Sequence, residues 1–396
     1  MPNRHAPGDL EMSKPSRTFA VVILAAMLVT ILIVTLVKRH QHSLTTGEIR
    51  IGVILPLTGR AATYGERSLQ GIQLAIDKAN SSRNADQPLN IIVEDSQSQA
   101  SRAVTSFTRL VDIDNVPVVV GLLTSDEALA CAPLANEHKV VLFTPGATSE
   151  ELKGAGAYVF RNRESVELQT AVIAKACINR VGRGRIAILH ANAANAVSYR
   201  NAFAAACEAA GATVVGTVPF NEGKMDYRSE LEQVRSLKSD AVYLAGYDAE
   251  LGLILKQAHE IGLETHFFAS AGAVTPKLLE IAGLGAEGLM AASASFDPES
   301  KALHVNEFVK AYKAEFRKEP DWLAANSYDA IQMMAKIAES GEFTAESIRR
   351  GLVSFREFPG VSGTTTFDEF GGVMKPIQLV EVCQGRFMPV AAVQGH

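Results

Sequence analysis

Short apolar runs alternate with longer amphipathic stretches along most of the chain, and two such runs lie close together at 118–120 and 140–143. Both runs are rich in valine and carry no charge, which is typical of buried strands in a parallel sheet. Residues 126–138 between them are long enough for a helix that crosses back over the sheet. The stretch 118–152 therefore predicts a strand–helix–strand unit.

Small and hydroxyl-bearing residues follow each of the two runs. Residues 121–125 read GLLTS, and residues 144–148 read TPGAT. Ligands of open α/β sheets bind at the carboxyl ends of the strands, and helix N-termini favour anions. We therefore expect the two turns to form a cradle for a carboxylate.

The same alternation continues on both sides of this unit. Further strands are expected at 48–55, 89–94, 158–161, 185–190, 213–218, 241–245, 266–269, 288–292, 364–367, 377–382 and 386–390. Further helices are expected at 66–80, 100–113, 166–181, 198–210, 225–237, 248–262, 275–283, 298–315, 322–339 and 344–354. Strands that alternate with helices of about ten or more residues indicate parallel sheets with helices on both faces. Because one compact lobe cannot hold so many units, we expect two lobes that divide near 161–165.

An uncharged apolar segment at 19–37 precedes the alternating pattern. At about 1.5 Å per residue, a helix of this length spans roughly 28 Å, close to the thickness of a bilayer core. The apolar part of a cleaved signal peptide is typically about 7–15 residues long, and no small-residue cleavage pattern ends this segment. We therefore expect a cytoplasmic tail at 1–18, an uncleaved signal anchor at 19–37 and a tether at 38–47, with cleavage as the alternative.

Charge is distributed unevenly between the beginning of the chain and the rest. The first 47 residues carry five basic and two acidic residues, a net charge of +3, so the remainder carries −8 of the total of −5. An acidic main body argues against nucleic acid as a partner. Basic residues flank both ends of the apolar segment, so charge alone does not fix its orientation.

The four cysteines match no metal-binding or redox spacing. Cys177 and Cys207 fall on the predicted helices that flank the strand at 185–190, so a disulfide between them is one interpretation. The alternative, which we favour, is that Cys131, Cys177, Cys207 and Cys383 are all small buried apolar residues.

No catalytic motif occurs in a context that supports it. Gly283, Gly285 and Gly288 have the spacing of a dinucleotide fingerprint, but they lie between a predicted helix and a strand, the reverse of the required order. The sequence contains no G-x-S-x-G, H-E-x-x-H or P-loop motif. His190, at a strand end, is interpreted as a packing residue. We expect neither an enzyme nor a bound cofactor or metal.

The order of several short words resembles the leucine/isoleucine/valine-binding family of type I periplasmic binding proteins, the receptors of branched-chain amino-acid ABC transporters. The matching words are IGV at 51–53, PLTG at 56–59, YG at 64–65, TPGAT at 144–148, FR at 160–161, RIAI at 185–188, DAVY at 240–243 and EGL at 287–289. The resemblance covers residues 48–390. It implies an α/β fold of two Rossmann-like lobes with parallel sheets, joined by three crossovers, that close over a ligand.

The resemblance also implies how the chain divides between the lobes. Lobe 1 would comprise 48–164 and 296–374, and lobe 2 would comprise 165–295 and 375–396. The late helical group would therefore pack back on lobe 1.

In this family, serine and threonine hydroxyls and backbone N–H groups hold the carboxylate of an amino acid. The positions that match are Thr124, Ser125, Gly146, Ala147 and Thr148. The alternative is that these residues only cap helices, because each threonine begins a T-x-x-E capping box. Tyr64 and Tyr247 match tyrosines of the family's cleft, although Tyr64 is equally compatible with an ordinary surface loop.

Three positions depart from the family pattern at the end of the site that holds the ammonium group. Ala271, Asn195 and Val166 stand where the family has an acid, a tyrosine and an aspartate. Candidate polar contacts at this end are Glu164, Glu167, Asn195 and Ser270. The two glutamates either replace the missing aspartate or are solvated acids at a helix start. Since an ammonium without an acid is costly in a closed cleft, a carboxylate without an ammonium, or an amide, is an alternative to an amino acid.

Together, the anchor and the resemblance predict a single-pass protein of the bacterial inner (cytoplasmic) membrane. Its binding domain would lie on the periplasmic or extracellular side and serve an ABC permease. The expected ligand is an amino acid, an amide or a small carboxylate. The alternative is a ligand-sensing ectodomain of the same fold that signals through a partner membrane protein.

Overall fold

The computed structural model describes residues 48–82, 87–294 and 296–390. The described residues from 49 to 82 and from 89 onward belong to one compact unit. The predicted tail, anchor and tether, residues 1–47, lie outside the described residues. Within the described ranges, no helix has both the length and the apolar character needed to cross a membrane.

Strands and helices alternate along most of the described chain. The strands are β1 (Ile49–Leu55), β2 (Leu89–Asp95), β3 (Val118–Gly121), β4 (Val141–Thr144), β5 (Val159–Arg161), β6 (Arg185–Ala191), β7 (Thr213–Phe220), β8 (Ala241–Ala245), β9 (His266–Ala269), β10 (Met290–Ala294), β11 (Phe358–Gly360), β12 (Gly363–Phe367), β13 (Val373–Met374), β14 (Ile377–Cys383) and β15 (Arg386–Pro389). The helices are α1 (Ala62–Ser82), α2 (Ala100–Asp112), α3 (Ser125–His138), α4 (Val166–Val181), α5 (Ala194–Ala209), α6 (Arg228–Ser236), α7 (Asp248–Glu260), α8 (Pro276–Ala282), α9 (Leu303–Phe316), α10 (Trp322–Ala338) and α11 (Ala345–Ser354).

Sheet A contains β1–β5 in the order β2-β1-β3-β4-β5, with every pair parallel. Successive side chains of its strands enter different cores, as strand geometry requires. Ile51 and Val53 pack in the core shared with α1 and α10, whereas Ile54 packs in the core shared with α2 and α3. Because both faces are covered, these strands read as continuous apolar runs.

Sheet B has the order β15-β14-β10-β9-β8-β6-β7. The five strands from β10 to β7 in this order are parallel, whereas β14 pairs antiparallel with β10 and with β15. Gln384 and Gly385, between β14 and β15, both have positive φ angles, as a two-residue hairpin turn of type I′ requires. The predicted parallel sheets are thus confirmed, with an antiparallel hairpin added at one edge of sheet B.

The chain passes between the elements of sheet A and those of sheet B three times: between β5 and α4, between β10 and α9, and between β13 and β14. Helices α9, α10 and α11 contribute to one core with sheet A. A small antiparallel sheet, β11-β12-β13, follows these helices.

Several predicted boundaries are wrong at helix starts. Helix α1 begins at Ala62, so Tyr64 lies in its first turn and not in a loop. Helix α5 begins four residues earlier than the predicted 198. Helix α9 begins at Leu303 and not at 298, because Asp297 holds a turn: its carboxylate accepts the Glu299 N–H at 2.9 Å.

The cysteines differ in part from the prediction. Cys131, Cys177 and Cys207 are buried free thiols, and burial raises the pKa of each to about 12. Cys177 and Cys207 lie on the helices that flank β6, as predicted, but they are not joined by a disulfide. Cys383 is exposed at the end of β14, so the prediction of a buried residue is wrong there.

Candidate functional site

The candidate site is a cleft lined by turns at the carboxyl ends of strands from both sheets. The strand order reverses between β1 and β3 in sheet A and between β6 and β8 in sheet B, and α/β sheets bind ligands beside such points. The cleft encloses about 350 Å³, including the space where it opens to solvent. Its lining residues are Tyr64, Leu123, Ser125, Gly146, Thr148, Arg163, Asn195, Tyr199, Gly246, Tyr247, Ser270, Gly272 and Trp322.

The cleft brings together many, but not all, of the residues that the sequence singled out. The candidates that line it are Tyr64, Ser125, Gly146, Thr148, Asn195, Tyr247 and Ser270. The candidates outside its lining are Thr124, Ala147, Glu164 and Glu167.

The turn after β3 is held by a helix cap and by a contact with the next turn. The Thr124 hydroxyl accepts the Glu127 N–H at 3.4 Å, and Glu127 Oε2 accepts the Thr124 N–H at 3.2 Å, which completes a capping box. The Thr124 hydroxyl also donates to Glu127 Oε2 at 2.7 Å. Ser125 Oγ accepts the backbone N–H groups of Thr148 at 3.2 Å and Ser149 at 3.0 Å. Because this oxygen accepts both bonds, the Ser125 hydroxyl hydrogen remains available as a donor.

The turn after β4 is held by the side chain of Thr144. Its hydroxyl donates to the Leu122 carbonyl at 2.9 Å and accepts the Ala147 N–H at 3.0 Å. Ala147 packs in the core shared with α2 and α3, which explains why its side chain does not line the cleft. Gly146 lies against Leu123, where an added Cβ would come within 3.0 Å of the Leu123 carbonyl oxygen.

Thr148 does not form the predicted capping box with Glu151. Ser149 caps that short helix instead, since its Oγ accepts the Glu151 N–H at 3.3 Å. The Thr148 side chain interacts with the Tyr199 hydroxyl, which in turn donates to Gln169 Oε1. Thr148 is therefore buried among cleft residues without serving as a helix cap.

Two tyrosines meet across the cleft. The rings of Tyr64 and Tyr247 are perpendicular, with centroids 5.4 Å apart. The Tyr64 hydroxyl donates to the Gly272 carbonyl at 2.9 Å, which links α1 to the segment after β9. The Tyr247 hydroxyl is buried and has no hydrogen-bond partner among the described residues. Burial raises the pKa of both phenols, so they stay protonated as donors.

Six lining residues were not among the candidates: Leu123, Gly246, Gly272, Arg163, Tyr199 and Trp322, of which the last three have polar side chains. Tyr199 lies one helical turn after Asn195 on α5, so both side chains reach the cleft from the same face of the helix. Arg163 follows β5, and only 1% of its surface is exposed. Its guanidinium carbon lies 3.6 Å from the centroid of the Trp322 ring. The one signal for Arg163 in the sequence is its place directly after a strand.

The acids near the start of α4 do not reach the cleft lining. Glu167 is exposed on α4, in agreement with a solvated acid. Glu164 is fully buried, so the interpretation as a solvated acid is wrong there. Its Oε2 lies 3.8 Å from Arg163 Nε, and it also interacts with Lys375. Val166 and Ala271, at the family's acidic positions, are both buried.

Asp248 lies directly behind the cleft, at the start of α7 after Tyr247. Its carboxylate accepts the Thr275 hydroxyl at 2.9 Å and the Ala249 N–H at 2.9 Å. Burial raises the pKa of Asp248 to about 6, against the opposing effect of these hydrogen bonds. No group of three or more metal-ligating side chains is placed to hold a metal ion within the described residues.

The chain thus has an α/β fold in which turns from two sheets line one candidate binding cleft. A family model described as periplasmic binding protein matches residues 48–386. The chain belongs to the periplasmic binding protein family. The resemblance to its leucine/isoleucine/valine-binding branch is confirmed.

Individual relatives cover nearly all of the matched region. The chain is 27% identical to the leucine-, isoleucine-, valine-, threonine- and alanine-binding protein of Pseudomonas aeruginosa, over 84% of this chain and 88% of that protein. It is 28% identical to the Leu/Ile/Val-binding protein BraC3 of Rhizobium johnstonii, over 83% of this chain and 89% of that protein. The crystal structure of the leucine-binding protein LivK of Thermotoga maritima matches with 29% identity and a TM-score of 0.80, covering 87% of this chain and 98% of that chain. These relatives are binding proteins, so the chain is a binding protein and not an enzyme.

Proposed function

We propose that the chain is the solute-binding component of an ABC-type importer and closes on an amino acid or a related small carboxylate. The observation that carries this proposal is the meeting of two sets of turns at one cleft. Ser125 and Thr148, after strands of sheet A, lie opposite Tyr247 and Ser270, after strands of sheet B. Neutral hydroxyl and N–H donors at helix N-termini suit a carboxylate.

We assign residues 48–164 and 296–374 to one lobe, and residues 165–295 and 375–396 to the other. Several contacts join the two across the cleft: Tyr64 with Gly272, Ser149 Oγ with Ser198 Oγ at 3.3 Å, and an ion pair of Arg60 with Glu222. A ligand shifts such lobes towards closure only when it binds the closed state better. The cleft residues on both sides would supply that difference in affinity.

The proposed location is the periplasmic or extracellular face of the bacterial inner membrane. Residues 19–37 would form a single-pass anchor, and residues 38–47 would tether the binding domain to it. The uncharged length of this segment and the family's extracytoplasmic role support the proposal. The proposed partner is an ABC permease.

The ligand class is tested by thermal shift of the purified chain against amino acids, their amides, and aliphatic and aromatic acids. A binding protein of this class should show a raised midpoint with at least one compound, because ligands stabilise the state that binds them. If no compound of the panel raises the midpoint of thermal unfolding, the proposed function is wrong. Native mass spectrometry of the chain as purified would show whether it retains a compound from the host.

The partner is tested by crosslinking in native membranes. Recovery of an ABC permease is the expected result. Because a tethered receptor cannot diffuse between transporters, the anchor also suits a ligand-sensing ectodomain. Crosslinking to a signalling membrane protein, with no permease recovered, would favour that second function.

A further inference from the structure

Hydrogen-bond donors dominate the polar groups of the cleft. Four lining residues have buried donor atoms without a hydrogen-bond partner among the described residues: Arg163 at Nε and Nη1, Trp322 at Nε1, Tyr247 at its hydroxyl and Ser270 at Oγ. Unsatisfied buried donors are costly, so several together point to an acceptor that the chain itself does not supply.

Arg163 is the strongest of these donors because it carries a full charge. Its guanidinium carbon lies 3.6 Å from the centroid of the Trp322 ring, a cation–π contact that holds the side chain at the cleft. Tyr199 interacts with both Arg163 and Thr148, so the guanidinium lies beside the predicted carboxylate cradle. The Glu164 carboxylate comes no closer than 3.8 Å to Nε, which is too long for a hydrogen bond. Arg163 therefore has N–H groups free to form charge-assisted bonds to an anion.

An ammonium group has no comparable partner in the cleft. Within the described part of the chain, no Asp or Glu lines it. The buried Glu164 carboxylate faces Arg163, 3.8 Å from Nε, and two further acids, Asp248 and Asp321, border a small neighbouring cavity. Both carboxylates already accept two hydrogen bonds: Asp248 from Thr275 and Ala249, and Asp321 from the first-turn N–H groups of α10. A buried ammonium would meet a guanidinium and only neutral acceptors, which is unfavourable.

Four aromatic side chains surround the remaining space: Tyr64, Tyr199, Tyr247 and Trp322. Their rings offer apolar faces to the body of a ligand, while their polar ends are donors. A ligand with one anionic end and a flat or branched apolar body fits this lining.

We propose that Arg163 sets the specificity of the cleft for small carboxylates that lack an ammonium group, through direct bonds from its guanidinium to the carboxylate. This inference rests on the proposed solute-binding function and narrows its ligand class. The turns after β3 and β4 add neutral donors to the same carboxylate. The apolar body of the ligand lies among the four aromatic rings.

The first experiment compares compounds that share one skeleton. The full-length chain in mild detergent is titrated with L-leucine, 4-methylpentanoate, 4-methylpentanamide, benzoate and benzamide. The readouts are calorimetry and the fluorescence of Trp322, the one tryptophan of the sequence. We expect 4-methylpentanoate or benzoate to bind at least about tenfold more tightly than the matched amide, because the amide loses a charge-assisted bond. The same acids should bind at least about tenfold more tightly than leucine, because the ammonium group of leucine would be buried without an acid.

The second experiment removes the charge. Arg163→Met should weaken carboxylate binding by about 10- to 100-fold, because it removes charge-assisted bonds. The affinity of the amides should change less than threefold. The matched control is Arg228→Met, which makes the same change at a half-exposed arginine paired with Glu260. Arg163→Lys keeps the charge but loses the two-pronged geometry, so it should recover only part of the affinity.

The outcomes separate this inference from the function on which it rests. Tight binding of leucine without binding of either acid would overturn the inference and leave the proposed function standing. Binding of no compound at all would overturn both. A folded Arg163→Met variant that binds the acids within threefold of the original chain would also overturn the inference. If that variant does not fold, the selectivity of the original chain among the five compounds still decides.

Discussion

Two buried cations of this molecule, Lys375 and Arg163, differ in how the chain satisfies them. The Lys375 ammonium donates to Ser362 Oγ at 2.7 Å and to Asn326 Oδ1 at 3.3 Å. Arg163 lines the cleft and leaves Nε and Nη1 without a hydrogen-bond partner among the described residues, with Glu164 Oε2 3.8 Å from Nε. A buried cation whose N–H groups are hydrogen-bonded within the chain stabilises the fold. A buried cation at a cleft whose N–H groups lack hydrogen bonds indicates a ligand that would accept them.

The region around Lys375 is a closed polar network. Asp329 on α10 accepts the N–H groups of Val361 and Ser362, each at 2.8 Å, and the Ser362 hydroxyl. Burial raises the pKa of Asp329 and lowers that of Lys375, and the attraction between the two partly offsets both shifts. This network ties α10 to the segment between β11 and β12, so it stabilises the core that carries Trp322.

The largest effect is expected when this network loses its acceptor. Asp329→Ala would leave Lys375 with less compensating charge and two buried N–H groups without an acceptor. We expect the free energy of unfolding to fall by about 3–5 kcal/mol, measured by urea denaturation with Trp322 fluorescence. Asp226→Ala, at an exposed carboxylate, is the control. A loss below about 1 kcal/mol would show that the network contributes little.

Replacing each of the two cations by methionine measures what each contributes to the stability of the fold. Lys375→Met should cost about 3 kcal/mol of unfolding free energy, because it leaves Asp329 buried without its cation. Arg163→Met, without added ligand, should cost less than Lys375→Met, because Nε and Nη1 have no hydrogen bond to lose and the Glu164 carboxylate, 3.8 Å from Nε, keeps its interaction with Lys375. Denaturation of both variants under one condition measures the difference. Equal costs would mean that Arg163 is as much a part of the fold as Lys375.

Asp248 provides a third case, a buried acid whose charge depends on pH. Its carboxyl has a pKa of about 6 in the folded chain, raised by burial from 3.8. A group with a raised pKa holds its proton more tightly when folded, so its contribution to stability is largest below the unfolded pKa of about 4 and is lost as pH rises towards 6. Between these two values, the original chain should lose roughly 2–3 kcal/mol relative to Asp248→Asn. Denaturation of both proteins at pH 4, 5, 6 and 7 tests this prediction. The same dependence of unfolding free energy on pH in the two proteins would contradict it.

Much of the fold could be predicted because its signals are local. Helix α4 and strands β8 and β9 match the predicted residues at both ends. Their boundaries follow from apolar runs and from polar residues at the ends, which a single sequence displays. Strand β11 was missed because it has only three residues and contains Pro359. The start of α1 was missed because Tyr64 carries no helix-start signal.

The site was predictable only in part, for a physical reason. Ser125 and Thr148 follow strands, so their position at the edge of a sheet could be inferred from local pattern. The importance of Arg163 depends on its burial, on the ring of Trp322 and on the distance to Glu164. These depend on contacts between segments that are far apart in the sequence, which local pattern does not show. The division of the chain into lobes likewise stays a prediction from the resemblance.

The smallest expected effects distinguish two threonines that look alike in sequence. Thr148→Ala removes a cleft hydroxyl that caps no helix, so we expect the affinity for 4-methylpentanoate to fall by about 1–2 kcal/mol with little change in stability. Thr124→Ala removes the capping box of α3, so we expect the reverse: about 1 kcal/mol less stability and nearly unchanged affinity. Calorimetry measures the affinity of each variant, and urea denaturation measures its free energy of unfolding. If Thr148→Ala lost stability and kept its affinity, the turn after β4 would support the fold without holding a ligand, and carboxylate recognition would then depend on Arg163.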